Sequence, residues 1–242
     1  MIFGVLRALW MILVIFVGTM VYGGTAIVAG LFGVRGHPYV AWSRQWARMA
    51  LWGSGCRVVG HGTENIVPGE PFVLVANHIS WFDIFAIAVL LEVDFHFVAK
   101  KELEKIPVFG RAWRVAGHIS IDRSNRERAV ESLRRAGEQM RREKSVVVIF
   151  AEGTRARNGR LQPFKKGAFV LGAQTGIPLI PTVVANSYNI MRPDTFIVRP
   201  ATIHVYFEPP IPSEGRSPDE LMRATRAVMV RRLVAAGEPI EP

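Results

Sequence analysis

The amino-terminal part of the chain contains a long apolar segment that limits what the protein can be. Between Arg7 and Arg35 no residue is charged, and residues 8–34 are mainly Leu, Ile, Val, Met and Phe. A helix that spans a membrane needs about 20 apolar residues, whereas the apolar part of a secretory signal has roughly 7–15. The length therefore favours a membrane helix. The glycines in Tyr22–Gly24 leave two forms open, one long helix or two shorter helices, and the single span is slightly favoured.

The next segment, residues 35–53, has the pattern of an amphipathic helix. Trp42 and Trp46 recur on one face, while Arg44 and Arg48 share another. Trp opposite Arg is typical of a helix that lies in the membrane interface. Packing of the same helix against a globular core is the alternative.

These two segments predict how the chain is divided. Residues 1–55 are expected to form a membrane anchor, either one span or a two-helix motif, followed by the interfacial helix. Residues 56–242 are expected to form the second domain. The basic residues that flank the apolar run are more numerous on its carboxyl side, and the positive-inside rule then leaves that domain on the cytoplasmic face of the (inner) cell membrane.

The composition excludes several classes of protein. The chain has 242 residues, of which 50% are hydrophobic, so it can build a substantial core without a disulfide or a metal. The lone Cys56 cannot form an intramolecular disulfide and is predicted to be buried or structural. The net charge of +10 is concentrated in residues 100–166. This charge suits a membrane surface or a phosphorylated substrate, and nucleic-acid binding is disfavoured because few aromatic residues accompany it.

The remaining sequence alternates buried strands with helices. Phe72–Ala76 and Ser145–Phe150 are short apolar runs that predict strands, and Arg126–Glu143 predicts a helix capped by Ser124 or Asn125. Further strands are expected at Phe95–Ala99, His118–Ile121, Ile177–Val184 and Thr202–Phe207, and further helices at Lys166–Ala173 and after Ser217. The pattern predicts an α/β fold, with a mixed sheet covered by helices.

The segment NHISWFD, residues 77–83, directly follows one predicted strand and opens a helix. A carboxylate about one turn after a histidine can fold back onto the imidazole, fix its tautomer and raise its basicity, as a general base requires. His78 and Asp83 are therefore a candidate catalytic pair. Taken alone, this spacing is frequent by chance, and helix capping by Ser80 beside an ordinary surface histidine is the alternative.

Four further motifs lie at the ends of predicted elements. The sequence FAEGTR, residues 150–155, follows a strand and offers an anion a glycine backbone, a Thr and an Arg. The sequence GHISIDR, residues 117–123, delivers Arg123 at the end of a strand. The sequence FKKG, residues 164–167, begins a helix whose amides and lysines suit phosphate. The sequence IPLIP, residues 177–181, carries two prolines, which an edge strand explains without any function.

In their order, these five segments resemble the glycerolipid acyltransferase family, particularly the 1-acyl-sn-glycerol-3-phosphate acyltransferases. The resemblance extends from Asn77 to Pro181 and includes the apolar leader. One departure is Ala151, which stands where the family usually has proline. The resemblance implies that His78 is the catalytic base and that Asp83 orients it and stabilises its charge.

The same resemblance implies how the substrate phosphate is bound. Arg123 and Arg155 match the family's phosphate-binding arginines, and Lys105 lies where a phosphate-site lysine is often found, with Lys100 and Lys101 competing for that role. Glu152 is expected to organise the site, by pairing with Arg, and not to act as a second base. The residues expected to support the motifs are Asn77, Glu152, Gly153, Thr154, Lys165, Lys166 and Pro178.

The resemblance also implies a reaction. An acyl thioester, either acyl-CoA or acyl carrier protein, would donate its acyl group to the sn-2 hydroxyl of lysophosphatidic acid to form phosphatidic acid. No cofactor and no metal are expected, and the partners are membrane lipids, the lysolipid and the acyl carrier. Alternatives that stay open are another acceptor, such as a lyso-ornithine lipid or a lysophospholipid, and a non-catalytic module that binds anionic lipid.

Overall fold

A computed structural model describes residues 2–34, 36–122, 126–193, 195 and 197–239. Within this part of the chain, seven strands form one sheet and helices pack on both of its faces. The strands are β1 (Arg57–His61), β2 (Phe72–Ala76), β3 (Phe95–Lys100), β4 (Ile119–Ile121), β5 (Val146–Phe150), β6 (Leu179–Ala185) and β7 (Thr202–Phe207). The helices are α1 (Ile2–Gly18), α2 (Gly24–Leu31), α3 (His37–Ser54), α4 (Phe82–Leu90), α5 (Phe109–Val115), α6 (Arg126–Glu143), α7 (Gly167–Thr175), α8 (Ser187–Ile190) and α9 (Pro218–Ala235).

The strand order across the sheet is β1-β7-β6-β2-β5-β3-β4. Neighbouring strands run parallel except β6 and β7, which are antiparallel. The predicted mixed α/β sheet is thus confirmed. Because β2 and β5 are parallel neighbours in register, with Ala76 opposite Phe150, the segments that follow them leave the sheet side by side.

The central strand β2 is buried on both faces, which explains its uninterrupted apolar sequence. Leu74 and Ala76 face a core shared with α3 and α4, whereas Val73 and Val75 face a second core shared with α6 and α7. Cys56 is buried in the first core, as predicted.

The apolar leader forms one uninterrupted helix from α1 to α2. Instead of a break at Tyr22–Gly24, the chain makes a π-helical turn over Thr19–Gly23. By length and composition, the stretch Leu6–Leu31 is apolar enough to cross a membrane. One face of this helix nevertheless packs along α3, since Arg7 donates to the Ser54 carbonyl at 3.0 Å and a Cβ at Gly30 would lie 3.3 Å from the Tyr39 hydroxyl.

Helix α3 lies between the leader and the sheet. The ring of Trp46 packs edge-on against Phe85 of α4, with centroids 5.0 Å apart, so this tryptophan contacts the core. Trp52 is 71% exposed and the Arg44 guanidinium donates to Glu92 at 3.1 Å. Trp46 therefore packs against the globular core, which was the alternative to a position in the membrane interface. Trp52 of the same helix faces outward.

Three elements escaped the sequence patterns, one of them the four-residue helix α8. Strand β1 is an edge strand with alternating exposure that contains Arg57 and Gly60, so it lacks a continuous apolar run. Helix α5 has seven residues, too few for a clear helical period.

Ser217 caps α9 through a reciprocal capping box with Glu220, as its position predicts. The predicted caps of α6, Ser124 and Asn125, lie outside the described residues.

Candidate active site

The site is built where β2 and β5 end. His78 lies two residues beyond β2, and its Nδ1 is 2.9 Å from Oδ2 of Asp83, in the first turn of α4. Because an ionised carboxylate only accepts hydrogen bonds, Nδ1 carries the proton and Nε2 keeps its lone pair. The structure therefore brings together the two residues that the sequence predicted as a pair.

The Asp83 carboxylate is completely buried and fixes the turn before α4. Its Oδ2 also accepts from the amides of Ile79 at 2.7 Å and Ser80 at 2.8 Å. These amides lie just before the helix begins, where a negative charge is favoured. Asp83 thus shapes the backbone that carries His78 as well as orienting its imidazole.

Glu152 joins the loop after β5 to the loop after β2. Its Oε1 accepts from the His78 amide at 2.7 Å and its Oε2 from the Gln162 amide at 2.9 Å. Burial raises the pKa of Glu152 to about 7, although both amides oppose that shift. Glu152 was expected to organise the site by pairing with Arg, and its direct hydrogen bonds are instead to these two backbone amides.

The imidazole of His78 stacks on the ring of Phe150, with centroids 3.9 Å apart. Beside this pair opens a cavity of about 1060 Å³ with a largely apolar wall. The π-helical turn of the leader, helix α3 and helix α5 supply parts of that wall, for example Tyr22, Trp42 and Phe109. His78 therefore lies in the wall of a large, mainly apolar cavity, with Asp83 buried behind it.

Some of the basic residues expected at the phosphate site line the cavity and others do not. Arg155 and Lys165 line the cavity near His78, and the Arg155 guanidinium lies 4.7 Å from the centroid of the Trp81 ring. Lys100, at the end of β3, also lines it. Lys105 lies five residues farther on, at the end of a 3-10 turn, exposed and outside the cavity wall. The structure thus favours Lys100 over the predicted Lys105.

Three other predicted residues are not brought to the cavity or cannot be placed. Lys166 turns toward α9, where its Nζ lies 2.8 Å from Asp219 Oδ1. Pro178 precedes β6 and accepts a hydrogen bond from the Val73 amide, at the opposite end of the sheet from His78. Arg123 lies outside the described residues.

The remaining motif residues form the turn after β5. Gly153 has a φ of 75°, a conformation that favours glycine, and its amide donates to the Phe150 carbonyl at 3.0 Å. Thr154 is exposed and lines the cavity. Ala151, where the family usually has proline, donates its amide to the Ala76 carbonyl at 2.9 Å. Proline has no amide hydrogen, so this departure adds a bond between the two loops.

Asn77 is fully buried and ties β2 to β6. Its Nδ2 donates to the Val184 carbonyl at 2.9 Å, and its Oδ1 accepts from the Val184 amide at 2.8 Å. The side chain replaces a rung of the sheet just before His78, so Asn77 holds the histidine loop in place.

We expect Asn77→Ala to lower the free energy of unfolding by about 2–4 kcal/mol, because both backbone groups of Val184 lose their partner in a buried place. Chemical denaturation measures this loss, provided that the m-value is the same in the variant and the wild type. Asn65→Ala is the control, since it removes a single bond to the Phe207 carbonyl at a half-buried position and should cost about 1 kcal/mol. Equal losses in the two variants would contradict the role given to Asn77.

Sequence motifs did not point to Arg226, on α9. Its Nη1 donates to the Gln162 carbonyl at 3.2 Å, and its guanidinium lies 5.3 Å from the centroid of the Phe164 ring. Gln162 is the residue whose amide binds Glu152, and the charge of Arg226 lowers the pKa of Glu152 against the larger effect of burial. Arg226 thus supports the loop from the far end of the sequence, which no local pattern reveals.

Replacing Arg226 with alanine should raise the pKa of Glu152 further above about 7. When Glu152 is protonated, one of its oxygens no longer accepts a hydrogen bond from a backbone amide. As the pH is lowered, kcat/KM should therefore begin to fall at a higher pH in the variant than in the wild type. The pH profile of the activity that the sequence predicts measures this shift. Arg223→Ala, an exposed arginine on the same helix, is the matched control, and identical acid limbs in both variants would exclude this role for Arg226.

Among the described residues, no group of three or more His, Cys, Asp or Glu side chains is arranged to hold a metal ion.

Comparison with known proteins places this geometry in a family. A family model described as Acyltransferase matches residues 57–185. The 1-acyl-sn-glycerol-3-phosphate acyltransferase of Limnanthes douglasii is 33% identical over 195 residues, which make up 79% of this chain and 69% of that protein. The protein of the same name from Limnanthes alba is 32% identical over the same shares.

A solved structure extends the likeness to the whole fold. The crystal structure of the 1-acyl-sn-glycerophosphate (LPA) acyltransferase PlsC from Thermotoga maritima matches with a TM-score of 0.84 and 26% sequence identity, and the match covers 100% of this chain and 99% of that one. The residues matched by the family model include His78, Asp83 and the turn after β5. The chain therefore belongs to the glycerolipid acyltransferase family and is an acyltransferase.

Proposed function

We propose that the protein transfers a fatty acyl group from an acyl thioester to the sn-2 hydroxyl of lysophosphatidic acid and so forms phosphatidic acid. The observation that carries this proposal is the His78–Asp83 pair, with Nδ1 and Oδ2 2.9 Å apart and His78 in the wall of a mainly apolar cavity. The relatives named above as 1-acyl-sn-glycerol-3-phosphate acyltransferases support the choice of acceptor.

In the proposed reaction, Nε2 of His78 accepts the proton of the acceptor hydroxyl as its oxygen attacks the thioester carbonyl. The Asp83 carboxylate stabilises the imidazolium that forms, through the bond to Nδ1. When the C–S bond breaks, the imidazolium returns the proton to the departing thiolate. The products are the ester and the free thiol, and no covalent acyl-enzyme is needed.

The acceptor phosphate would bind the basic side chains that line the mouth of the cavity. Arg155 suits bidentate contact with a phosphate, and Lys100 and Lys165 add positive charge from two other segments. Arg123 is proposed for the same role because the resemblance of its motif implies it. Glu152 holds the loop that carries Arg155 and does not take part in proton transfer.

The apolar cavity would hold the acyl chain of the donor. A volume of about 1060 Å³ exceeds what a small polar substrate needs, and aromatic side chains dominate much of its wall. Binding the chain there would bring the thioester carbon close to His78. Either acyl-CoA or acyl carrier protein would serve as the donor, and we propose no other cofactor.

We propose that residues 1–55 attach the enzyme to the cytoplasmic face of the membrane and that residues 56–242 carry the catalytic motifs. The outer face of the leader supports this arrangement, since Leu9, Leu13 and Phe16 are each more than half exposed. Such a long, exposed apolar stripe is unfavourable in water and suits contact with lipid. The substrates, which are themselves membrane lipids, would then enter the site from the bilayer.

The test is a substrate panel with the full-length protein in lipid vesicles or detergent. Acyl-CoA and acyl carrier protein are offered with lysophosphatidic acid, a lyso-ornithine lipid and a neutral lysophospholipid, and products are identified by mass. We expect phosphatidic acid to form with the highest kcat/KM. Preferential acylation of another lysolipid would overturn the choice of acceptor, and binding without turnover would support a non-catalytic lipid-binding module instead.

A further inference from the structure

The inner wall of the cavity contains a histidine that the proposed reaction does not use. His118 lies immediately before β4 and lines the cavity. Its imidazole is surrounded by aromatic rings, with the Trp113 centroid at 4.4 Å and the Phe97 centroid at 6.0 Å. It is a half-buried polar side chain in the wall of a largely apolar cavity.

The tautomer of His118 is fixed by the backbone. The amide of Phe97 donates to its Nδ1 at 3.2 Å, so Nδ1 has no proton in this arrangement. The neutral ring must then carry its proton on Nε2. Burial lowers the pKa of His118 to about 3, so the ring stays neutral near physiological pH and Nε2 remains a hydrogen-bond donor.

This donor has no hydrogen-bond partner among the described residues, and the part of His118 that is not covered by protein faces the cavity. The nearby indole does not compete for a ligand, because Trp113 Nε1 already donates to Ser120 Oγ at 3.1 Å. The His118 side chain is half-buried and its Nε2 opens on the cavity, so an apolar chain that displaces water from the cavity leaves this donor unpaired, which is unfavourable. A bound molecule with an acceptor at this point would satisfy it.

A row of ring contacts, two of them stacked and the last tilted, connects His118 to His78. From His78 the centroid steps are 3.9 Å to Phe150, 6.3 Å to Phe97 and 6.0 Å to His118. His78 follows β2 and His118 precedes β4, and these strands are three spacings apart in the sheet, roughly 14 Å or about eleven bonds of an extended chain that advances about 1.2 Å per bond. His118 is therefore beside the middle or outer part of an acyl chain whose thioester carbon is at His78.

We propose that Nε2–H of His118 binds an oxygen on the acyl chain, so that the enzyme prefers a donor hydroxylated in mid-chain. This inference rests on the proposed function, since it assigns the cavity to the acyl chain. A site that offers a hydrogen bond discriminates against an analogue that lacks the matching group, because the site's own polar atom is then left unpaired. His118 is in this account a specificity-determining residue.

The experiment compares palmitoyl thioesters that are unsubstituted, β-hydroxylated, or hydroxylated at a series of mid-chain positions. We expect the wild type to favour one or more mid-chain hydroxyls by about tenfold in kcat/KM over the unsubstituted chain. The β-hydroxyl lies next to the thioester, too far from His118, and should give no such gain. Equal kcat/KM for all three classes would overturn the inference.

The variant His118→Phe should abolish the preference: kcat/KM should fall for the hydroxylated donors and rise for the unsubstituted donor. His61→Phe, at an exposed position on β1, is the matched control and should keep the wild-type ratio. If His118→Phe keeps the wild-type ratio of kcat/KM for hydroxylated over unsubstituted donors, the inference is overturned. If His118→Phe does not fold, the preference of the wild type still tests the inference. His118→Gln, which keeps a hydrogen-bond donor, should then retain the preference for hydroxylated donors.

Failure of this inference differs from failure of the proposed function. If no acyl thioester of the panel is transferred to lysophosphatidic acid, the proposed function fails and the inference fails with it. If unsubstituted and hydroxylated chains are transferred equally, the function stands and only the role of His118 is wrong.

Discussion

His78→Ala is expected to lower kcat for acyl transfer by about 10²–10⁴-fold, the usual contribution of a positioned general base. The hydroxyl of the acceptor is a weak nucleophile near neutral pH, and in the variant no imidazole accepts its proton. The KM for the lysolipid should change little, since the basic side chains proposed to bind the phosphate, Arg155, Lys100 and Lys165, remain. Initial rates at saturating donor, with the acceptor concentration varied, separate the two constants.

The control for this variant is His61→Ala, which removes an exposed imidazole on β1 far from the cavity. Thermal unfolding of both variants is needed, because His78 also stacks on Phe150 at 3.9 Å and its loss removes that contact. A folded His78→Ala protein that retains kcat within a few-fold of the wild type would remove His78 from the role of base.

Asp83→Asn should reduce kcat/KM by about 10²-fold while leaving the fold intact. The amide oxygen of the new side chain can take the position of Oδ2 and accept from His78, Ile79 and Ser80. Its NH₂ group then occupies the position of Oδ1, which has no hydrogen-bond partner among the described residues. The geometry is kept, but the negative charge that stabilises the imidazolium is lost.

Asp83→Ala provides the comparison that isolates the charge. It leaves the amides of Ile79 and Ser80 without an acceptor, so the free energy of unfolding should fall by about 2–4 kcal/mol in addition to the loss of activity. Denaturation curves and rates are measured for both variants. Full activity in Asp83→Asn would show that the carboxylate serves only the backbone, and a severe loss of stability in that variant would mean that the amide cannot replace it.

The sequence predicted the parts of the site that depend on nearby residues. His78 and Asp83 are five positions apart at the start of a helix, so local geometry alone can join them. The sequence placed Glu152 at the end of a second buried strand, but the meeting of the two loops became visible only in the structure, where β2 and β5 are parallel neighbours that end at the same edge of the sheet. The motif order then indicated the family.

The sequence could not predict contacts that depend on the path of the chain in three dimensions. Lys100 and Lys105 are equally basic, and only the end of β3 and the turn that follows it decide which one reaches the cavity. Lys166 follows Lys165 directly, yet it binds Asp219 on a helix some fifty residues later. Arg226 acts on the site from α9, and the polar wall at His118 needs the position of β4 beside β3.

The π-helical turn at Thr19–Gly23 has a consequence for how the leader tolerates length changes. A π-helical turn contains one residue more than an α-helical turn, and each residue of an α-helix adds about 100° of rotation. On one side of the turn, a Cβ at Gly18 would lie 3.0 Å from the Trp46 ring of α3; on the other, one at Gly23 would lie 3.2 Å from Val108. Both faces meet the protein only because the extra residue sets their relative angle. Deleting a single residue here would turn the exposed apolar stripe of α1 by about 100° relative to α2, so a one-residue deletion should be far more damaging than most substitutions in the same five positions.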